Sequence, residues 1–200
     1  MRKDYQKWWR DRKIDWKISY QDTFDHPHRT MISDILAKWK WFSLLEVGCG
    51  GGANLKHIVM RFPYKQIGGI DINKDAIELC KQTFNGAFLR VGSIEDIPMS
   101  DKSTDITLSD MTLLYVKDIH KAIEEIKRVT RHYVILCELH SFKKCGIIKL
   151  WLKSGYRAHN YKKLLEKHGF YDVEIVKIPK EVWDGKPQIE FGYIITAKKI

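Results

Sequence analysis

The sequence predicts an α/β fold, a mostly parallel sheet with helices on both faces, and three observations carry that expectation. From Ser43 onward, short apolar or β-branched strands alternate with helical patterns. The first strand runs into a glycine-rich turn, Gly48–Gly52, before the next helix. The last two strands are joined by a turn-rich link, Pro179–Pro187, without helical pattern, so they should pair as a hairpin with one of them antiparallel.

Bulk properties bound the rest. A chain of 200 residues fills one α/β core rather than two. An apolar content of 44% with 30% charge argues against disorder. No apolar run approaches the ~20 residues that span a bilayer, and Met1-Arg-Lys-Asp-Tyr lacks the apolar core of a signal peptide, so a cytoplasmic protein without a membrane partner is expected. Cys49, Cys80, Cys137 and Cys145 form no CxxC pair; buried free thiols, and no metal site, are expected. The net charge of +10 divides into +4 over residues 1–42, −1 over 43–139 and +7 over 140–200. Basic flanks of this kind suit an anionic substrate or nucleic acid, or simply a solvated surface.

Element by element, Tyr5, Trp8, Trp9 and Trp16 come close to helical spacing, which predicts one or two amphipathic helices. Pro27 then opens a helix from an Asp25 N-cap, carrying Met31, Ile32, Ile35, Leu36 and Trp39. Residues 1–42 are expected to form a helical extension or lid, and 43–200 a single globular unit. Strands are predicted at Ser43–Val47, Gln66–Ile70, Ala87–Val91, Thr104–Ser109, His132–Leu139, Tyr171–Ile178 and Phe191–Ala197. Helices are predicted at Ala53–Arg61, Lys74–Thr83, Ile119–Thr130 and Asn160–His168, the last stopped by Gly169.

The most informative stretch is Leu44-Leu-Glu-Val-Gly-Cys-Gly-Gly-Gly-Ala-Asn54. A strand running into glycines turns sharply and lets the backbone approach a ligand, and the following helix offers its first amides to negative charge. Asp71, ending the next strand, is placed to take both hydroxyls of a ribose. The residues alone leave two cofactors open. Gly48–Ala53 also satisfies a GxGxxG/A dinucleotide pattern, with Asp71 at a spacing that suits NAD. Against it, Glu46 stands two residues before the first glycine, where it suits an ammonium or sulfonium and not a pyrophosphate. The polar loop Gly92–Pro98 can read an adenine edge, and the chain has no room for a separate substrate domain.

The stretch Leu44–Leu139 resembles the class I S-adenosylmethionine-dependent methyltransferases, in particular the type called methyltransferase domain 11. Glu46-Val-Gly-Cys-Gly-Gly-Gly is similar to the family's first motif and Gly69-Ile-Asp-Ile72 to its second. Gly92-Ser-Ile-Glu-Asp-Ile-Pro98, continuing to Asp105, is similar to its Gly-Asp-Ala-Glu-x-Leu-Pro segment. The resemblance implies a Rossmann-like three-layer sandwich with a seven-stranded sheet ordered 3-2-1-4-5-7-6, strand 7 antiparallel. It also implies S-adenosyl-L-methionine as cofactor and S-adenosyl-L-homocysteine as product. Carried over, Gly48, Cys49 and Gly50 lie against the methionine moiety, Asp71 holds the ribose and Ile72 packs on the adenine. Ile94, through its backbone, and Glu95 lie near the adenine amine, and Asp110 and Met111 border the methionine end. Ser93 stands where the family usually has an acidic residue. Cys49 reads as a space-filler in a tight turn.

A sulfonium is already an activated leaving group, so aligning the reactants can supply ~7–11 kcal/mol, and a general base perhaps ~10²–10⁴-fold. The acceptor pocket should lie over the carboxyl ends of the strands. His28, Glu138 and His140 are the candidate catalytic groups. Tyr20, His26, Arg29, Tyr115, Tyr156 and Tyr161 are candidate acceptor-binding groups. The favoured reaction is transfer of a methyl group to a small molecule by in-line displacement. A nucleic-acid methyltransferase using the basic flanks is an alternative, although Ser109-Asp-Met-Thr112 does not match the Asn/Asp-Pro-Pro-aromatic motif of base amino methylation. A non-catalytic S-adenosylmethionine-binding protein and an NAD-dependent oxidoreductase are further alternatives. Oligomeric state is left open.

Overall fold

The computed structural model describes residues 4–183, 185 and 187–199. Three helices come first: α1 (Tyr5–Asp11), α2 (Trp16–Phe24) and α3 (His28–Leu36). Next come β1 (Ser43–Val47), α4 (Ala53–Arg61), β2 (Gln66–Asp71), α5 (Lys74–Thr83), β3 (Phe88–Val91) and β4 (Thr104–Asp110). A 3-10 turn (Leu113–Tyr115) leads to α6 (Ile119–Val129), β5 (Thr130–Leu139), α7 (Lys144–Ser154) and α8 (Tyr161–Lys167). The chain closes with β6 (Phe170–Lys177), α9 (Gln188–Phe191) and β7 (Gly192–Lys199).

All seven strands join one sheet in the order β3-β2-β1-β4-β5-β7-β6. The first five strands pair in parallel, and β7 runs antiparallel to both β5 and β6. The Rossmann-like order and the terminal hairpin expected from the sequence are both present. The period-2 alternation divides the core in two. Leu45, Val47, Val134 and Leu136 pack on one face with Ile123 and Ile126 of α6. Leu44, Ile106, Ile135 and Cys137 pack on the other with Ile32 and Leu36 of α3, Leu55 of α4 and Ile77 of α5. α3 is thereby built into the core. No helix of the described residues is long and apolar enough to cross a membrane.

Four expectations need correction. Asp25 does not cap α3: α2 runs to Phe24, so Asp25 ends that helix, and Pro27 takes the N-cap position without a side-chain bond. The first amides of α3 are met by carbonyls instead, Arg29 N to His26 O and Thr30 N to Pro27 O, each at 3.1 Å. Trp39 lies beyond the end of α3. Between the last strands sits a short helix, α9, where only turns were expected. Cys145 is exposed on α7, unlike the three other free thiols, which are buried.

One side chain ties the N-terminal helices to the sheet. Asn73 Oδ1 caps α5 by accepting from Asp75 N (3.0 Å) and Ala76 N (3.2 Å), and it also accepts from Trp16 Nε1 at 3.1 Å. Its amide nitrogen donates to the carbonyls of Trp9 and Arg12, both at 2.9 Å. Asn73→Asp keeps the cap but replaces two donors with an oxygen facing two carbonyls. We expect trypsin to cut at Arg12 and Lys13 about ten-fold faster in this variant, the factor that ~1.4 kcal/mol produces. An unchanged cleavage rate would show that Asn73 does not hold the segment.

Candidate functional site

The carboxyl ends of β1, β2 and β4 open into a cleft of about 220 Å³, lined among others by Gly48, Gly50, Asp71, Ile72, Ser93 and Ile94. The glycine turn permits this close approach. Gly48 has φ +73°, and a Cβ there would sit 2.1 Å from Thr112 Oγ1. Gly50 N donates to Asp71 Oδ2 at 2.9 Å, and Asn73 N donates to Oδ1 at 2.8 Å. Each Asp71 oxygen thus takes one backbone amide and can accept once more, which suits a vicinal diol. Burial raises the Asp71 carboxyl above its ordinary range, opposed by these amides.

Aromatic rings from the N-terminal helices roof the cleft. Trp9 and Trp16 line it, and Trp9 meets Tyr115 edge-on at 5.4 Å. Tyr5 lies 5.5 Å from Tyr115 on the same side. Gln6 Nε2 donates to Glu95 Oε1 at 2.8 Å, and Lys117 pairs with Asp4 at 2.9 Å across the same edge.

A second lobe of about 140 Å³ adjoins the first and holds an acid network. Asp110 Oδ2 is its node. It lies 2.8 Å from His28 Nε2, accepts from Asn54 Nδ2 at 2.9 Å and sits 3.4 Å from Arg29 Nη1. Asn54 Nδ2 also donates to Glu46 Oε1 at 2.6 Å, while Arg29 donates to Asn54 Oδ1 and, through Nε, to Thr23 O at 2.9 Å. His28 Nδ1 faces His26 Nδ1 at 2.6 Å, and Trp183 stacks on the His28 ring at 4.5 Å. Burial would raise the Asp110 carboxyl, but His28, then Arg29 and Asn54, hold it well below the usual carboxylate range. Burial pushes Glu46 up to about 8, with Asp110 adding to the rise and Asn54 opposing it. Its Oε2 is buried and has no hydrogen-bond partner among the described residues.

The predicted residues therefore divide. Glu46, Gly48, Cys49, Gly50, Asn54, Tyr20, Arg29 and Asp110 surround the second lobe, and Met111 and Tyr115 wall the first. His28 and His26 stand behind Asp110. Five other candidates are placed elsewhere. Glu138 is fully buried, and its Oε1 accepts from Ser109 Oγ (2.8 Å) and from the amides of Thr112 and Leu113 (2.9 Å each). It thereby pins the turn in which Met111 holds φ +52°. Burial lifts the Glu138 carboxyl to about 7. His140 Nδ1 accepts from Tyr161 N at 3.2 Å in the core, and burial lowers its ring to about 4. Tyr161 is buried beside it. Glu95 Oε1 is taken by Gln6 and by the amides of Lys117 (2.6 Å) and Asp118 (3.0 Å). Tyr156 meets Tyr115 at 6.0 Å, behind the cleft wall.

Gln6, Thr112 and Trp183 were not anticipated. Gln6 and Trp183 carry no local mark, because each reaches the site only through the packing of a distant element, whereas Thr112 follows directly on Asp110 and Met111. His28, Asp110 and Cys137 also place ligand-type atoms within 4.8 Å of one another. A metal ion there would compete with Arg29 and Asn54 for Asp110 Oδ2, and the Cys137 thiol is pushed well above its ordinary range by burial.

The chain is similar to methyltransferases both in a segment of its sequence and in its fold. Residues 45–137 match the family model described as a methyltransferase domain. A malonyl-[acyl-carrier protein] O-methyltransferase of Yersinia pestis is 31% identical over 90 residues, 45% of this chain and 33% of that protein. A fatty-acid O-methyltransferase of Mycolicibacterium smegmatis is 34% identical over 92 residues, 44% of this chain and 33% of that protein. These matches thus span only a third of each relative. Among solved structures, a geranyl diphosphate C-methyltransferase from Streptomyces coelicolor A3(2), bound to Mg2+, geranyl diphosphate and S-adenosyl-L-homocysteine, superposes with a TM-score of 0.68. The two are 15% identical, over 86% of this chain and 80% of that one, a likeness of fold.

The raised Glu46 group makes stability depend on pH. Its proton is held more tightly in the folded chain, so the contribution is full below about pH 4.5 and lost as pH rises to about 8. Glu138 acts in the same direction up to about 7. We expect the ligand-free melting temperature to fall between pH 5 and pH 8, and Glu46→Gln to flatten part of that fall. Parallel curves for the two proteins in a pH-resolved thermal melt would contradict this assignment.

Proposed function

We propose that the chain is an S-adenosylmethionine-dependent methyltransferase that passes a methyl group to a small-molecule acceptor by direct in-line displacement. The observation that carries this reading is the second lobe, where a guanidinium and two buried carboxylates meet behind a glycine turn. A zwitterionic amino-acid end fits that set. Arg29 faces its carboxylate, and Glu46 and Asp110 face its ammonium, which gives the unpartnered Glu46 Oε2 a partner. A pyrophosphate would instead meet two buried acids. Asp71 accepts the ribose hydroxyls, Ile72 and the Ile94 backbone border the base, and Cys49 fills the turn.

When bound, S-adenosylmethionine supplies a methyl group on an already activated sulfonium. The residues of this chain orient and exclude water. Trp9, Trp16 and Tyr115 close the cleft, and their π-faces favour a cationic centre. His28, held by Asp110 on one nitrogen and by His26 on the other, stands behind the cleft and fixes the Asp110 carboxylate that faces the ammonium. Glu138 and His140 act at one remove, through the Met111 turn and the α8 terminus. The relatives named for fatty-acid and malonyl-carrier O-methylation support an organic acceptor over nucleic acid.

Isothermal titration should show S-adenosylhomocysteine binding without NAD binding, with Asp71→Ala weakening affinity at least ten-fold. Preference for NAD would overturn the reading. Supplied with a cell extract and labelled S-adenosylmethionine, the chain should label the low-mass fraction; label confined to RNA would replace the small-molecule acceptor with a nucleic-acid one.

A further inference from the structure

The region after β5 has a charge pattern unlike the rest of the chain. Between Glu138 and Glu166 there is no acidic residue, whereas seven are Lys or Arg. This stretch contains α7, Lys-Cys-Gly-Ile-Ile-Lys-Leu-Trp-Leu-Lys-Ser, of 11 residues. Its inner side is anchored: Leu150 is buried with Leu139, Ala158 and Phe191, and Ile147 packs against them. Its outer side is not polar. Ile148 is 46% exposed, Trp151 48% and Leu152 72%, and Phe142 just before the helix is 58% exposed. Ile148 and Leu152 form an i,i+4 row, and Lys149 and Lys153 form a second row beside it. Lys144 and Trp151 flank the other side.

This helix is also poorly suited to standing alone in water. Lys143 occupies the N-cap without a side-chain bond and Lys144 follows it, so positive charge sits where the helix dipole is already positive. An anionic surface relieves that repulsion. Lysines interleaved with exposed Trp, Leu and Ile are the composition of a helix that lies in a lipid interface, where the long stems snorkel toward headgroups. A protein partner would favour a patch depleted of lysine at its centre. Lys149 also pairs with Glu190 at 3.2 Å, which leaves Lys143, Lys144 and Lys153 as the freer cations of the face.

From these observations we propose that the outer face of α7, with Phe142, docks the protein on the surface of an anionic lipid bilayer. That no helix among the described residues is long and apolar enough to cross a membrane does not bear on this, since α7 would lie in the interface and not cross it. The placement has a consequence for the cleft. Ile147, Leu150 and Tyr156 share one apolar cluster with Met111 and Tyr115, which wall the cleft. A docked α7 brings that wall beside the bilayer, where an amphiphilic acceptor resides; this consequence, though not the docking, rests on the methyltransferase reading.

The test is co-sedimentation with vesicles of phosphatidylcholine and phosphatidylglycerol at 3:1, against pure phosphatidylcholine, in low and high salt. We expect binding to the anionic vesicles in low salt, and at least ten-fold less to neutral vesicles or in 500 mM salt. The double variant Trp151→Ser/Leu152→Ser should lose vesicle binding ten-fold or more while keeping its melting temperature and S-adenosylhomocysteine affinity. Lack of binding to anionic vesicles, or equal binding by the variant, overturns the docking proposal. So does a dimer that the double variant dissociates in sedimentation velocity, which would assign the face to a second copy. A chain that binds S-adenosylhomocysteine but no vesicles loses only the docking proposal; one that binds vesicles but no S-adenosylhomocysteine keeps it and loses the methyltransferase reading.

Discussion

The site depends on one oxygen, Asp110 Oδ2. Three donors converge on it from two different elements, His28 and Arg29 from α3 and Asn54 from the first turn of α4. A buried carboxylate is tolerated only when it is paired and hydrogen-bonded. The pairing therefore fixes where α3 and the glycine turn lie relative to the end of β4. Removing any one donor leaves the others, and the carboxylate, incompletely matched in a dry environment. Asn54 couples the system to Glu46, because a single amide nitrogen serves both acids. With Arg29, His28 and Asn54 gathered at Asp110, one carboxyl is depressed, while burial raises the other, so the lobe carries less net charge than its composition implies.

A second constraint is that most polar groups near the cleft are already occupied by the fold. Asn73, Glu95 and Glu138 each bind several donors or carbonyls from distant segments. Asn73 and Glu95 fasten the aromatic roof, and Glu138 holds the turn that presents Met111 and Thr112. What remains for a ligand is a small set: Asp71, the Glu46–Arg29–Asp110 group and exposed backbone of the loops. A cleft with apolar walls and a few convergent polar groups free to meet a ligand suits small-molecule binding.

Much of this was legible in the sequence where the signal is local. Ser43–Val47, Ala53–Arg61 and Lys74–Thr83 match their predicted limits, because glycines, Pro63 and Asn73 punctuate clean periodic runs. α7 was unread for a physical reason: apolar residues occupy both its inner and outer sides, and it has no capping side chain. The site shows the same division. Glu46, Asp71, His28, Arg29 and Asp110 are marked by type and position, yet their convergence on one oxygen needs the fold. Glu138 and His140 illustrate the opposite case. Standing at the end of β5 they read as acceptor-side groups, but their side chains point into hydrogen bonds that hold the backbone. Trp183 carries no local mark at all and reaches His28 through the β6–β7 link.

The division between core and flanks has a functional logic. The segment 45–137, which matches the family, contains the glycine turn, Asp71 and Asp110, and is nearly neutral. The elements that meet over its far side come from outside it: α1 and α2 with their aromatic rings, α3 with His28 and Arg29, and α7 with Ile147 and Leu150 behind the cleft wall. These flanks also hold the excess positive charge. The glycine turn, Asp71 and Asp110 are therefore supplied by the matched core, whereas Arg29 and the Trp9 and Trp16 walls of the cleft come from flanking segments that such a core can exchange. That arrangement fits a fold whose many activities differ in what approaches the same cleft.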